Sequence, residues 1–151
     1  MSEIIQLNSQ AKLSEHFTLG EMTVSNHKEV YNIPSHEAIA NMKRLCGWLE
    51  ALRERAGTPI IINSGYRSPQ LNKKIGGVAN SNHTTGCASD IRVKDEEQLI
   101  RFANIVLDYA KESHQEFDEL LIEKNRYGAI WLHLAVRPNV NRHKVRILHV
   151  G

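Results

Sequence analysis

The clearest feature in the pattern of apolar and polar positions is a helical stripe in the first half of the chain. Apolar residues recur every three or four positions between residues 39 and 52, the spacing of one helix face. Ser35 is suited to cap the start of this helix, and Gly57 is suited to end it. A second stripe follows Asp95 and predicts a helix over residues 96–112.

Short β-rich segments bounded by turn residues predict five strands around these helices. The predicted strands cover residues 59–64, 88–93, 117–123, 129–136 and 145–150, with a short helix at 69–74. Helices that are separate from a small, mostly antiparallel sheet make an α+β fold. We expect one domain over residues 1–151, with residues 1–33 as an N-terminal arm packed on it.

Composition fits a single domain and excludes several other classes of protein. The chain has 151 residues, of which 41% are hydrophobic and 24% charged. A net charge of +2 with scattered Lys and Arg predicts no nucleic-acid partner. No apolar stretch is long enough to cross a bilayer and no signal-peptide pattern is evident, so we expect cytoplasmic synthesis without membrane insertion. Cys46 and Cys87 cannot form a disulfide framework, which fits a reducing compartment.

A polar loop between the first two predicted strands carries the candidate chemistry. Its Gly, Asn, Ser and Thr residues indicate an ordered loop, which contains Arg67 and His83 and leads into the strand that carries Asp90. Loops held between strands commonly carry reactive side chains. His133 lies far downstream on another strand. Two His and one carboxylate, with a fourth position left for water, form a ligand set of catalytic zinc, so His83, Asp90 and His133 are candidate ligands of one zinc ion per chain.

The same segments carry a resemblance to a known family. The sequence SGYRS stands at 64–68, SNHTTGCASD at 81–90 and WLH at 131–133. In this order they resemble the zinc D-alanyl-D-alanine carboxypeptidases, and most closely their small phage and prophage branch. The resemblance extends over most of the chain, from about residue 13 to about residue 136. It implies the hedgehog/DD-peptidase fold and a peptidoglycan peptide containing D-amino acids as the partner, without distinguishing carboxypeptidase from endopeptidase.

Substrate contacts are expected mainly from Arg67. A substrate that ends in a free carboxylate needs a planar bidentate donor, which Arg supplies and Lys does not. The resemblance implies that Arg67 helps to hold the substrate, and a structural ion pair under the loop is the alternative. Ser81 and Trp131 are the other expected substrate contacts, the first as a lesser polar contact near the metal loop.

The general base must come from another segment of the chain, because residues 128–131, just before the last candidate ligand, contain nothing that titrates. Many relatives place an acid or a His there. In an extended strand Glu119 and Glu123 point to one face, so both can face the site. We favour Glu123, because it ends the strand and the phage branch has a Glu in this place. A surface ion pair with Lys124 or Arg126 is its alternative role.

The predicted activity is zinc-dependent hydrolysis of a peptide bond in bacterial peptidoglycan, performed at the cell wall after release from the cell. Two other classes remain open. One is a zinc-binding module without peptidase activity, as hedgehog relatives show is possible on this fold. The other is a tail-associated phage protein that keeps the fold for contact with the wall. An intact carboxylate base distinguishes the enzyme from either binder.

Overall fold

A computed structural model describes residues 8–151, within which five strands form one sheet with two long helices on its apolar face. The strands are β1 (Ile62–Ser64), β2 (Ala88–Arg92), β3 (Glu119–Asn125), β4 (Ile130–Ala135) and β5 (Lys144–Val150). The helices are α1 (Leu19–Met22), α2 (His36–Ala56), α3 (Pro69–Lys74) and α4 (Glu96–Ser113), with a 3-10 helix at Asn82–Thr85. This architecture is compatible with the α+β class. None of these helices is long and apolar enough to cross a membrane.

The two long helices begin at the caps that the sequence predicts. The Ser35 hydroxyl accepts a hydrogen bond from the Ala38 amide, and the Asp95 carboxylate accepts one from the Gln98 amide. Such caps satisfy amides that have no partner inside the first turn. Gly57 ends α2 with a φ of +70°, in the left-handed region that glycine adopts readily. Both predicted long helices are therefore confirmed.

The sheet has the strand order β1-β2-β4-β3-β5 and is mixed. Three of its pairings are antiparallel, but β5 runs parallel to β3, which corrects the expectation of a mostly antiparallel sheet at this edge. The reason is the place left for β5. Since β4 already lies between β2 and β3, β5 cannot pair with β4, and it joins the outer edge of β3, where it runs parallel to β3. The five predicted strands are all present, with bounds shifted by up to three residues.

The central strands present two chemically different faces. Asp90 lies directly opposite His133 across β2 and β4, and Glu123 lies opposite Trp131 across β3 and β4. Side chains alternate along each strand, so these polar groups share one face and their neighbours share the other. That second face enters the hydrophobic core and includes Ile91, Leu120, Leu132 and Leu134. The sheet thus separates the core from a polar cluster.

The described part of the expected N-terminal arm joins this core. Leu13, Phe17, Leu19 and Met22 are all buried in the main hydrophobic cluster. The Met22 carbonyl accepts a hydrogen bond from the Tyr66 amide at 2.7 Å. A side chain at Gly65 would collide with that same carbonyl, so the close approach requires glycine there. Residues 1–7 of the predicted arm lie outside the described residues.

Candidate functional site

Three side chains from distant parts of the chain meet on the polar face of the sheet. His83, Asp90 and His133 are all buried, and one donor atom from each lies within 4.8 Å of the other two. The Oδ1 atom of Asp90 lies 3.4 Å from Nε2 of His83 and 3.0 Å from Nδ1 of His133. The structure thus brings together the three residues that the sequence singles out as candidate zinc ligands.

His83 is presented by the 3-10 helix that precedes β2. The Ser81 hydroxyl caps this helix by accepting a hydrogen bond from the His83 amide. Gly86 ends it with a φ of +78° and packs so closely on the Ala38 carbonyl that a side chain would collide. The Gly65 carbonyl accepts a hydrogen bond from Nδ1 of His83 at 2.7 Å. Because that bond fixes the proton on Nδ1, the lone pair of Nε2 faces Asp90.

His133 lies between two carboxylates. Its Nδ1 atom faces Asp90, and its Nε2 atom lies 2.9 Å from Oε1 of Glu119 on β3. Burial lowers the pKa of His133, but its hydrogen bonds to the two carboxylates outweigh burial and raise the pKa to about 10. For Asp90, burial raises the pKa, and the neighbouring imidazoles overcome this and hold it well below its usual range. The cluster therefore stabilises positive charge.

The donor set fits a divalent metal ion, and zinc in particular. Zinc bonds of about 2.0–2.1 Å at tetrahedral angles place neighbouring donors about 3.3–3.4 Å apart. The two separations from Asp90, 3.0 and 3.4 Å, are close to this spacing. Both imidazoles also have their far nitrogens held by the protein, the usual arrangement around metal ligands. A cation at this point takes the place of a proton between imidazole and carboxylate.

Arg67 lies at the edge of the cluster and is mostly buried. Its NH2 atom is 3.5 Å from Oδ2 of Asp90, and its Nε and NH1 atoms donate to Ser64 and Asn72. Burial lowers the pKa of Arg67, while Asp90 and Glu123 oppose this effect. The ion pair with Asp90 corresponds to the structural alternative for Arg67, and it leaves several of the five guanidinium hydrogens for other partners.

Glu123 is half-buried on the same face as the cluster. Trp131 donates a hydrogen bond from Nε1 to Oε1 of Glu123 at 2.7 Å, so this tryptophan contacts the candidate base directly. Burial is the main cause that raises the pKa of Glu123, and His133 partly offsets it. Within residues 8–151, Glu123 forms no ion pair with Lys124 or Arg126, the partners of its alternative surface role.

Two asparagines that the sequence reasoning gave no role support these side chains. Asn72 accepts from Arg67 and donates to the carbonyl of Val78 at 2.8 Å, which ties Arg67 to the following loop. Asn82 donates to both Asp118 and Glu119. Asn82 lies inside the segment SNHTTGCASD, and Asn72 lies four residues after the segment SGYRS. These places in the chain are the one signal that the sequence offers for either residue.

Comparison with known proteins adds a family to this geometry. A family model described as "Peptidase M15" matches residues 15–126, which is most of the chain. The matched segment contains His83, Asp90 and both glutamates, and it ends before His133. No curated protein matches the chain. Peptidases of this family are zinc dependent, in agreement with the buried cluster of two His and one Asp. The chain belongs to the peptidase M15 family.

Proposed function

We propose that the chain is a zinc peptidase that hydrolyses a peptide bond next to a D-amino acid in bacterial peptidoglycan. The observation that carries the proposal is the buried cluster of His83, Asp90 and His133 with Glu123 on the same face of the sheet. The motif spacing that resembles the phage and prophage carboxypeptidases supports this substrate and the hedgehog/DD-peptidase fold. Carboxypeptidase and endopeptidase activity remain alternatives within the proposal.

The three ligands would hold one zinc ion through Nε2 of His83, a carboxylate oxygen of Asp90 and Nδ1 of His133. A zinc ion there supplies Lewis acidity, which polarises a carbonyl and makes water more acidic. The protein keeps these donor atoms converged because the other imidazole nitrogens are bound by Gly65 and Glu119. Burial of all three side chains keeps bulk water from competing for them.

Glu123 would act as the general base and then as the general acid. Trp131 binds Oε1, so Oε2 is the oxygen that receives a proton from the attacking water. The same oxygen then returns the proton to the leaving amine. A pKa raised by burial suits both steps, because the carboxyl group must bind and release a proton within one turnover.

Substrate binding would fall to groups around this centre. Arg67 would bind a carboxylate or carbonyl oxygen of the peptide with the guanidinium hydrogens that Ser64, Asn72 and Asp90 leave free. Trp131 and Ser81 would form further contacts, although their present hydrogen bonds serve Glu123 and the His83 amide. Since peptidoglycan lies outside the cytoplasmic membrane, the protein would act after release from the cell.

The test is digestion of purified peptidoglycan with zinc-loaded protein, followed by mass spectrometry of the fragments. We expect zinc-dependent cleavage that chelation abolishes and that added zinc restores. Loss of a terminal D-alanine would identify a carboxypeptidase, and opened cross-links an endopeptidase. Glu123→Gln is the matched control, since it should keep zinc without cleavage. Zinc-loaded protein that binds the wall but cuts no bond would overturn the proposal in favour of a binding module.

A further inference from the structure

Glu119 contacts a candidate ligand without belonging to the ligand cluster. Its Oε1 atom lies 2.9 Å from Nε2 of His133, the nitrogen that faces away from Asp90. Asn82 donates to the same oxygen at 2.9 Å, and Arg142 lies 3.4 Å from the second oxygen. Both carboxylate oxygens are therefore engaged, and the side chain is largely buried.

We propose that Glu119 is a positioning residue that sets the tautomer and orientation of His133 for metal binding. The inference rests on the proposed zinc function of the cluster. A carboxylate only accepts hydrogen bonds when ionised, so its contact with Nε2 keeps the imidazole proton on that atom. Once a metal ion takes the place of the proton between Nδ1 and Asp90, the lone pair of Nδ1 would face the metal, and the Glu119 carboxylate would make the imidazole a more basic ligand.

A buried polar unit behind Glu119 fixes it in place. The neighbouring Asp118 is fully buried and accepts hydrogen bonds from Arg142 and from Asn82. Arg137 lies 3.2 Å from the same carboxylate and also donates to Asn82. Because Asn82 directly precedes His83, this unit joins the segment that carries one ligand to the strands that carry the other. A carboxylate anchored in this way holds His133 with little freedom to turn.

The hydrogen bonds of the two glutamates of β3 indicate different roles for them. Glu119 has His133 and Asn82 on one oxygen and Arg142 at 3.4 Å from the other, so each of its oxygens already has a partner. Glu123 is bound through Oε1 alone. Glu119 therefore supports a ligand, whereas Glu123 has the oxygen that a general base needs.

The test compares zinc affinity among three variants by competition with a chromophoric chelator. Glu119→Gln keeps an acceptor oxygen for His133, and its zinc Kd should stay within about threefold of the parent, while Glu119→Ala and Glu119→Met should raise it by about 10- to 100-fold. Glu116→Ala is the matched control, because Glu116 is exposed and its one polar side-chain contact within residues 8–151 is with His143. Circular dichroism of each metal-free protein checks folding, and visible spectra of the cobalt forms should change only in the Ala and Met variants.

Parental zinc affinity in folded Ala and Met variants would overturn the proposal. Equal weakening in Gln and Ala would also overturn it, because charge rather than the acceptor would then matter. If Glu119→Ala and Glu119→Met do not fold, Glu119→Gln decides the question. Parental zinc affinity without peptidase activity in Glu119→Gln would make Glu119 a catalytic group. Weakened zinc binding in Glu119→Gln would refute the acceptor role. A parent that binds zinc without cleaving peptidoglycan would refute only the proposed substrate.

Discussion

Two clusters of histidine and carboxylate in this protein have similar composition and different geometry. In one, His83, Asp90 and His133 are buried on the polar face of the sheet. In the other, Glu50 on α2 accepts hydrogen bonds from the Ser14 hydroxyl at 2.6 Å and from the His16 amide at 2.7 Å. Its second oxygen lies 2.7 Å from Nδ1 of His16, whose side chain is 40% exposed.

The difference lies in which atoms converge. Around Glu50 the donors all point at one carboxylate instead of converging on a shared point, and the cluster fastens the N-terminal arm to α2. In the sheet cluster the far nitrogens of the imidazoles are bound elsewhere, so the near ones converge with Asp90. A cavity of about 730 Å³ opens beside His16 and Glu50. Convergence of donor atoms, and not the size of a nearby cavity, therefore distinguishes the candidate metal site.

The largest effect should come from the ligands themselves. His83→Ala and His133→Ala should each reduce bound zinc from about one ion per chain to almost none and abolish peptidase activity. The melting temperature in zinc should also fall, because a ligand that binds only the folded state stabilises it. Metal analysis and thermal melting measure both effects. His16→Ala is the control from the other cluster and should keep its zinc. Full zinc occupancy in both ligand variants would show that the sheet cluster does not hold the ion.

The next largest effect concerns the candidate base. Glu123→Gln should lower the rate of peptide hydrolysis by about 100-fold or more, the usual scale for a general base, with zinc retained. Rate assays on peptidoglycan fragments alongside metal analysis separate the two properties. Glu50→Gln changes a carboxylate of the other cluster and should leave the rate unchanged. A fully active Glu123→Gln with an inactive, zinc-loaded Glu119→Gln would move the role to Glu119.

A smaller loss of activity is expected from Arg67→Lys. Lysine keeps the charge beside Asp90 but loses the bidentate fork, and a hydrogen bond to a charged group contributes about 1.5–3 kcal/mol. Hydrolysis should therefore slow by about tenfold or more while zinc stays bound. Steady-state kinetics on a defined stem peptide would measure it. Parental kinetics in this variant would leave Arg67 with only its ion pair to Asp90.

The smallest effect should follow Glu50→Gln, which weakens the attachment of the N-terminal arm to α2 and leaves the sheet cluster unchanged. We expect unfolding to become easier by about 1–2 kcal/mol, measured by denaturation with urea, and zinc content to be unchanged. Burial raises the pKa of Glu50, but hydrogen bonds from Ser14 and His16 outweigh it and lower the pKa below 4.5. A lowered pKa stabilises the fold above pH 4.5 and loses that effect as the pH falls, so parent and variant should converge in acid. A constant difference down to low pH would contradict this role.

Local features of the sequence predicted much of the fold. The caps at Ser35 and Asp95 involve residues three positions apart, so the chain itself specifies both helix starts. The parallel pairing of β5 was not predictable in this way, because it depends on which sheet edge remains free after β4 is placed. Strand periodicity gives the face of a residue without giving its neighbours in the sheet.

Local sequence likewise predicted some features of the candidate site and not others. His83, Asp90 and His133 stand in recognisable motifs, and the faces of Glu119 and Glu123 followed from alternation along one strand. The partners of those glutamates did not follow. Contact of Glu119 with His133 and of Glu123 with Trp131 depends on the register between β3 and β4, which the turn between the strands sets and the alternation along either strand does not.

The direct opposition of Asp90 and His133 across β2 and β4 has a consequence for folding. A slip of one residue between these strands would turn one of the two side chains towards the core and bring an aliphatic neighbour to the candidate metal site. The proposed zinc ion could bind all three candidate ligands only in the native alignment. The ion would thus select one pairing of the central strands. Zinc binding should therefore slow the exchange of amide hydrogens in β2 and β4 more than in the edge strand β5.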